Sequence, residues 1–289
     1  MTNASPTGTL MTSNSIGVRD VARGLKSLGL ATSSSSAVIV HASLSSFGHV
    51  RGGERAVLAA LLWTCDTIVL PAFTYQSMVW PLAGPPDNGM TYGLSEFDAA
   101  NRNAMFFHGD LPAHRDLGVI AETLRRHPIA HRSAHPALSF VAAGRRAGEA
   151  LAGQTLDHPL APIEWLQRHD GDVLLLGVGH TRNTSIHLAE RLAGRRQFMR
   201  WAIVRGEDAT DARAVRLHSF PGCSDGFDAI EPEIARATRQ ATIGRAVVRR
   251  IPLSMLIPIA VGLISDEAGA LLCSRPDCER CSAVRRAGR

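Results

Sequence analysis

The sequence predicts an α/β protein of layered sheet and helices, and three observations carry that expectation. The chain has 289 residues, 45% of them apolar and 20% charged, the composition of an ordinary globular protein that can bury a large core. Short apolar runs of strand length recur along it, and between them lie stretches whose apolar residues repeat at helical spacing. Strands that alternate with helices in this way form layered α/β folds. The sequence contains no internal repeat.

The first 15 residues are rich in Ser, Thr and Asn and are expected to be disordered. Val18, Val21, Leu25 and Leu28 recur at helical spacing and predict the first helix, followed by a polar linker over 31–36. A buried strand over 38–42 leads into a Ser/Gly-rich loop, 43–53, and then an apolar helix over 54–63. A second strand is expected at 67–70. The Pro/Gly/aromatic segment 71–112 is too long for a passive connector and is a candidate substrate-binding region. Beyond it the pattern gives a helix over 116–126, a strand over 138–143, short helices over 147–151 and 162–168, and a buried strand over 172–178. A helix over 184–192, alternating strands over 200–205 and 213–218, and a helical stretch over 230–238 complete it.

The apolar run 251–264 is interrupted by Pro252 and Pro258 and falls short of the ~18–20 residues that span a membrane. With no basic segment followed by an apolar one at the N-terminus, a soluble, cytoplasmic protein is expected.

Net charge is +5, yet Lys26 is the only lysine. Because Lys26 lies inside an amphipathic stretch rather than after a glycine loop, a Walker A phosphate site is excluded, and Schiff-base chemistry is disfavoured. The arginine surplus suits polyanions, which leaves a nucleic-acid or zinc-binding module as a remote alternative. Five cysteines in a reducing compartment suggest thiols or a metal site rather than a disulfide framework.

Four local motifs carry possible chemistry. Gly177-Val178-Gly179 follows a strand, but Arg182 stands where a dinucleotide fingerprint needs its third glycine. Gly222-Cys223-Ser224-Asp225-Gly226 has the form of a nucleophile elbow, yet the last histidine, His218, lies upstream of the serine, so a plain turn is the better reading. Cys273, Cys278 and Cys281 make half a zinc ribbon at most; a fourth ligand would have to be Cys223 or His218. A structural zinc is therefore possible but not expected, and no catalytic metal is expected. His187 and Glu190 sit three apart on one predicted helix, where the carboxylate can orient the imidazole as a general base; spacing alone favours a surface pair, and the position after a buried strand end argues the other way.

Four segments taken together, VIVHASLSSFGHVRGG (38–53), VLPAFTYQS (69–77), HRSAHPALSFVAAG (131–144) and LLLGVGHTRNTSIHLAE (174–190), resemble the antibiotic N-acetyltransferase family typified by aminoglycoside 3-N-acetyltransferases. The resemblance implies a layered mixed β-sheet flanked by helices, in one domain over 16–289 with a Cys-containing basic tail. It implies acetyl-CoA as co-substrate, held by Ser43, Leu44, Ser45, Gly48, Val50, Gly52 and Gly53. It further implies His187 as the base and Glu190 as its orienter, with Tyr75, Asp98, His135, Ser139 and Thr184 on the acceptor side.

The acceptor it implies is the 3-amino group of a 2-deoxystreptamine aminoglycoside, with antibiotic resistance as the outcome; another primary amine is the alternative. A monomer or homodimer is expected, with no nucleic-acid or membrane partner. Three positions depart from the family pattern: Thr181 replaces a common aspartate, Ala161-Pro162 a Ser-Pro, and Ala42 a frequent serine. The C-terminal cysteines lie outside the resembling segments and are expected to be dispensable for chemistry.

Overall fold

The computed structural model describes residues 15–30, 36–206 and 212–288. The N-terminal segment and linker inferred from sequence therefore lie, but for Ser15 and Ser36, outside the described residues. The chain begins with α1 (Val18–Ser27), β1 (Ala37–Ala42), α2 (Gly53–Thr64) and β2 (Thr67–Pro71). The long segment that follows contributes only β3 (Met78–Val79) and α3 (Phe97–Arg102) before α4 (Val119–Arg125). Next come β4 (His131–Arg132), β5 (Phe140–Gly144), α5 (Ala147–Ala152), α6 (Ala161–Arg168), β6 (Asp172–Leu176) and α7 (Ser185–Leu192). The last part holds β7 (Phe198–Arg205), β8 (Ala212–Phe220), α8 (Glu231–Ile234), β9 (Arg239–Ile243), β10 (Ala246–Pro252), α9 (Leu253–Asp266) and α10 (Glu279–Ala287).

Seven strands form one mixed sheet in the order β4-β5-β2-β1-β6-β10-β9, with β2, β1 and β6 parallel and the flanking strands antiparallel. The central strands read as continuous apolar runs because both faces are covered by helices. In β1, Val38 and Val40 point into the core with α1 and α2, whereas Ile39 points the other way into the core with α6, α7 and α9. Strand β6 repeats the alternation: Leu174 and Leu176 join the first core and Val173 and Leu175 the second. A separate three-stranded sheet, β3-β7-β8, pairs the long segment with the hairpin that follows α7.

Several expectations are corrected. The helix expected over 116–126 is broken, because Gly118 at φ +82° separates a 3-10 turn (Arg115–Leu117) from α4. The stretch expected to be helical over 230–238 is a 3-10 turn ending at Ile230, the short α8 and a second 3-10 turn. The apolar run after residue 250 completes β10 and becomes α9, with Pro252 at the helix N-cap and Pro258 inside it. Among the described residues no helix is long and apolar enough to cross a membrane.

Candidate active site

The C-terminal ends of the parallel strands open into a cleft of about 790 Å³, where open α/β sheets place their ligands. Its floor is built by the chain leaving β1. The Ser43 N–H donates to the Leu176 carbonyl at 3.0 Å, extending the β1–β6 pairing by one residue. The loop then turns through a 3-10 helix (Leu44–Phe47), anchored by Phe47, which is 1% exposed. The Ser46 hydroxyl donates to the Ser43 carbonyl at 2.6 Å and presses on Gly177, at φ +69°, where an added Cβ would sit 1.7 Å from the Ser46 oxygen. Only glycine fits there.

Of the residues expected to hold the donor, Ser43, Leu44, Ser45, Gly48, Val50 and Gly53 line this cleft. Gly52 does not; it sits at φ +85° as the N-cap of α2. The opposite wall is Arg115 to Ala121, and Arg182 and Thr184 close one end. Arg115 and Arg182 place cationic groups on the cleft, which sequence reasoning did not single out.

Thr184 is the N-cap residue of α7, and the Asn183 side-chain carbonyl accepts the Ser185 N–H at 3.2 Å, fixing the start of the helix. Three residues on, hence on the same face, lies His187. Its Nδ1 is 2.6 Å from Glu190 Oε2, and Glu190 Oε1 accepts from Arg195 at 2.9 Å. Arg195 also donates to the carbonyls of Ala268 and Ala270 at 2.9 and 2.7 Å. All three are buried, at 8%, 2% and 3% exposure, which excludes the surface-pair reading. A carboxylate only accepts, so Nδ1 is the donor in this contact and Nε2 is the ring nitrogen left outside it. Phe227 packs edge-on against the imidazole, ring centroids 4.8 Å apart. His187 does not itself line the cleft; it stands one helical turn beyond the end that Thr184 closes.

The remaining predicted residues are dispersed. His135 is buried, and its Nδ1 accepts the N–H groups of Ala137 and Leu138 at 3.2 and 2.9 Å, while burial pulls its pKa down to about 4. Ser139 is fully buried, donating to the Ala72 carbonyl at 2.7 Å and accepting from Arg132 at 3.2 Å. Tyr75 packs on His114 with ring centroids 5.1 Å apart, outside the cleft lining, and burial pushes its pKa up to about 12. Asp98 is exposed on α3. Of these acceptor-side expectations, only Thr184 reaches the cleft.

Sequence reasoning also missed Arg195 and the part that Asp228, one of the acidic residues open to a cationic acceptor, plays in the fold. Asp228 accepts the His180 and Thr181 N–H groups at 2.6 and 3.3 Å and thereby shapes the turn between β6 and α7. The carboxylate is 48 residues from the turn it holds, and no spacing rule reaches that far.

A mixed sheet whose parallel strand ends carry a glycine loop, beside a buried line of His, Glu and Arg, defines an α/β protein with a cleft at its strand ends and a buried polar line on the elements that follow β6. The chain belongs to the aminoglycoside 3-N-acetyltransferase family, whose model matches residues 39–265. It is 36% identical over 160 residues to aminoglycoside N(3)-acetyltransferase IX of Micromonospora chalcea, a match covering 54% of this chain and 56% of that protein. The curated relatives are matched over only 56–64% of their own lengths.

Two crystal structures are similar over more of the chain. AAC-IIIb, solved as a binary complex with CoASH, has a TM-score of 0.71 and 26% identity, covering 87% of this chain and 97% of that one. A mutant of the aminoglycoside acetyltransferase AAC(3)-IVa in complex with gentamicin has a TM-score of 0.76 and 25% identity, covering 96% and 99%.

Proposed function

We propose that this protein transfers an acetyl group from acetyl-CoA to the 3-amino group of a 2-deoxystreptamine aminoglycoside, with His187 as general base. The observation that carries this reading is the buried His187–Glu190–Arg195 line, one turn beyond the donor cleft. The CoASH complex of one structural neighbour supports the donor, and the gentamicin complex of another supports the acceptor.

The cleft residues suit coenzyme A. Arg115 and Arg182 supply countercharge for its phosphates, and the twelve-residue helix α2 starts at the cleft residue Gly53, so the positive end of its dipole lies beside the cleft. The 43–53 loop lies along the remaining wall, where small residues admit a narrow amide chain. Acyl transfer to an amine forms the C–N bond and breaks the thioester C–S bond, so the nitrogen loses a proton and the departing CoA thiolate gains one. His187 Nε2 takes that proton, and the Glu190 carboxylate stabilises the imidazolium that results. Arg195 offsets the carboxylate charge while the site is neutral. N–H groups at the start of the Leu44–Phe47 turn, unpaired within the turn itself, face the negative charge that develops on the acyl oxygen.

One observation favours the second reading, acetylation of a different primary amine. Thr181 stands where the family commonly has an aspartate, and the nearby Asp228 carboxylate is already engaged by two backbone N–H groups. A polycationic acceptor then has one anionic contact fewer. A CoA-release assay with aminoglycosides and simple primary amines separates the two. Turnover confined to aminoglycosides supports the first reading, turnover on other amines alone supports the second, and no CoA release with any amine contradicts both.

A further inference from the structure

We propose that Cys223, Cys273, Cys278 and Cys281 bind one zinc ion in a closed tetrathiolate site that clamps the C-terminal segment to the loop behind His187. The four sulfurs lie within 4.8 Å of one another, and Cys273 Sγ is 3.5 Å from Cys281 Sγ. Zinc–thiolate bonds of ~2.3 Å in a tetrahedron place the sulfurs about 3.8 Å apart, which these positions meet with small adjustments. The fourth partner is Cys223 rather than His218, although it lies fifty residues upstream of Cys273.

Local structure presents the ligands. Cys278 is the N-cap of α10, so Cys281, three residues later, shares its face. Cys273 precedes the turn that leads into that helix, with the Cys278 N–H donating to the Arg275 carbonyl at 3.4 Å. Cys223 arrives on the loop after β8, which approaches so closely that a Cβ on Gly226 would lie 2.4 Å from the Leu272 backbone. All four cysteines are at most 6% exposed, and the half-buried Leu272 is the one further apolar residue packed into their cluster.

Ala283 and Val284 pack α10 on Phe198, but where the Cys223 loop meets the C-terminal segment the cluster is four thiols and Leu272, and metal coordination there supplies folding free energy directly. Arg275, two residues past Cys273, pairs with Asp225, two residues past Cys223, at 3.0 Å, which brings a cationic group beside the ligands and ties the two segments together. The site is closed, with four protein ligands and no open position, which marks a structural rather than a catalytic zinc.

The clamped loop also backs the acid–base pair. Arg280 of α10 donates to the Gly222 carbonyl at 3.1 Å, and Phe227, four residues past Cys223, packs on His187. The proposal does not depend on which acyl group or amine the site takes.

Elemental analysis of the full-length protein, purified without chelator, tests it directly. The expected result is about one zinc per chain, retained in Cys65→Ser and lost in Cys223→Ser and in Cys281→Ser. Cobalt exchanged for zinc should give the intense visible absorption of a tetrahedral thiolate site, a readout that does not depend on any variant folding. Wild-type protein that stays folded without metal after zinc reconstitution overturns the proposal. So do stoichiometric iron and a mass showing a disulfide among these cysteines.

Discussion

His187 and Glu190 meet at 2.6 Å, Nδ1 to Oε2, across one turn of α7, with both side chains buried. A buried ion is stabilised as its polar atoms find partners, and in this line Arg195 Nε is the buried atom left without one. Here the second carboxylate oxygen finds Arg195, and Arg195 finds two backbone carbonyls.

Arg195 is accordingly essential to the site's stability. Arg195→Met removes the countercharge and leaves the Glu190 carboxylate buried beside a single partner, at a cost of ~3–5 kcal/mol. Arg195→Lys should recover only part of it, because a point charge cannot serve the carboxylate and the two carbonyls together. Urea unfolding measures both. A loss under ~1 kcal/mol in the Met variant, typical of exposed pairs, would contradict the buried network.

Gly177 is predicted to accept no side chain. An alanine Cβ would sit 1.7 Å from the Ser46 hydroxyl oxygen at a backbone φ of +69°. Gly177→Ala should lose on the order of 1–3 kcal/mol and weaken acetyl-CoA binding, since Ser46 belongs to the loop that lines the cleft. Adding Ser46→Gly should restore part of both by removing the clash but not the strain. Denaturation midpoints and coenzyme titration report the outcome; wild-type stability in Gly177→Ala would sink the idea.

Acid should destabilise the protein through buried neutral histidines. Burial lowers the pKa of His135 from the ordinary imidazole value of 6.5 to about 4, and that of His41 to about 3. As pH falls below 6.5 the unfolded chain takes up these protons and the folded one does not. The stability present above that pH is thus lost progressively down to about pH 4, at up to about 1.4 kcal/mol per pH unit for each histidine. His135→Asn keeps an acceptor for the Ala137 and Leu138 N–H groups and removes the titration. Its stability, followed by urea unfolding from pH 7 to pH 4.5, should fall less steeply than that of the wild type. Parallel curves would rule out the assignment.

Acetyl-CoA should raise the melting temperature, because a ligand bound only by the native state stabilises it, by ~2.7 kcal/mol at a hundredfold excess over Kd. NAD and ATP should do much less, and Arg182→Ala should reduce the acetyl-CoA shift. Absence of any shift at millimolar acetyl-CoA would remove the cleft from the donor role.

The parts of this architecture that were legible in the sequence are those fixed by local pattern. Strands β1 and β6 read clearly because both faces are buried, so their apolar runs are uninterrupted. The His187–Glu190 contact was readable as an i,i+3 pair, but its burial and its third member were not, since Arg195 comes from beyond the helix end, after Gly194. The β9–β10 hairpin was hidden by its arginines: in β10, Arg249 and Arg250 interrupt the apolar pattern while pairing with Glu231 and Asp172 on neighbouring elements. Pro252 and Pro258 disguised α9, and Gly118 broke a helix that periodicity alone would continue. His135 and Ser139 stand in family-like motifs, yet His135 Nδ1 and the Ser139 hydroxyl bond to nearby backbone groups, and only His135 Nε2 is left without a partner. A motif cannot distinguish such a bond from one to a ligand.

The most direct test of the central claim is turnover and acetyl-CoA affinity measured on folded His187→Ala, beside Glu190→Gln. Loss of a positioned general base costs ~10²–10⁴ in rate, and the 43–53 loop is untouched by the substitution. The alanine variant should therefore bind acetyl-CoA within a few fold of wild type while its kcat falls by that factor, with Glu190→Gln in between. Near-normal turnover in folded His187→Ala would contradict the mechanism, and loss of acetyl-CoA binding would move His187 from the proton-transfer step to the donor site.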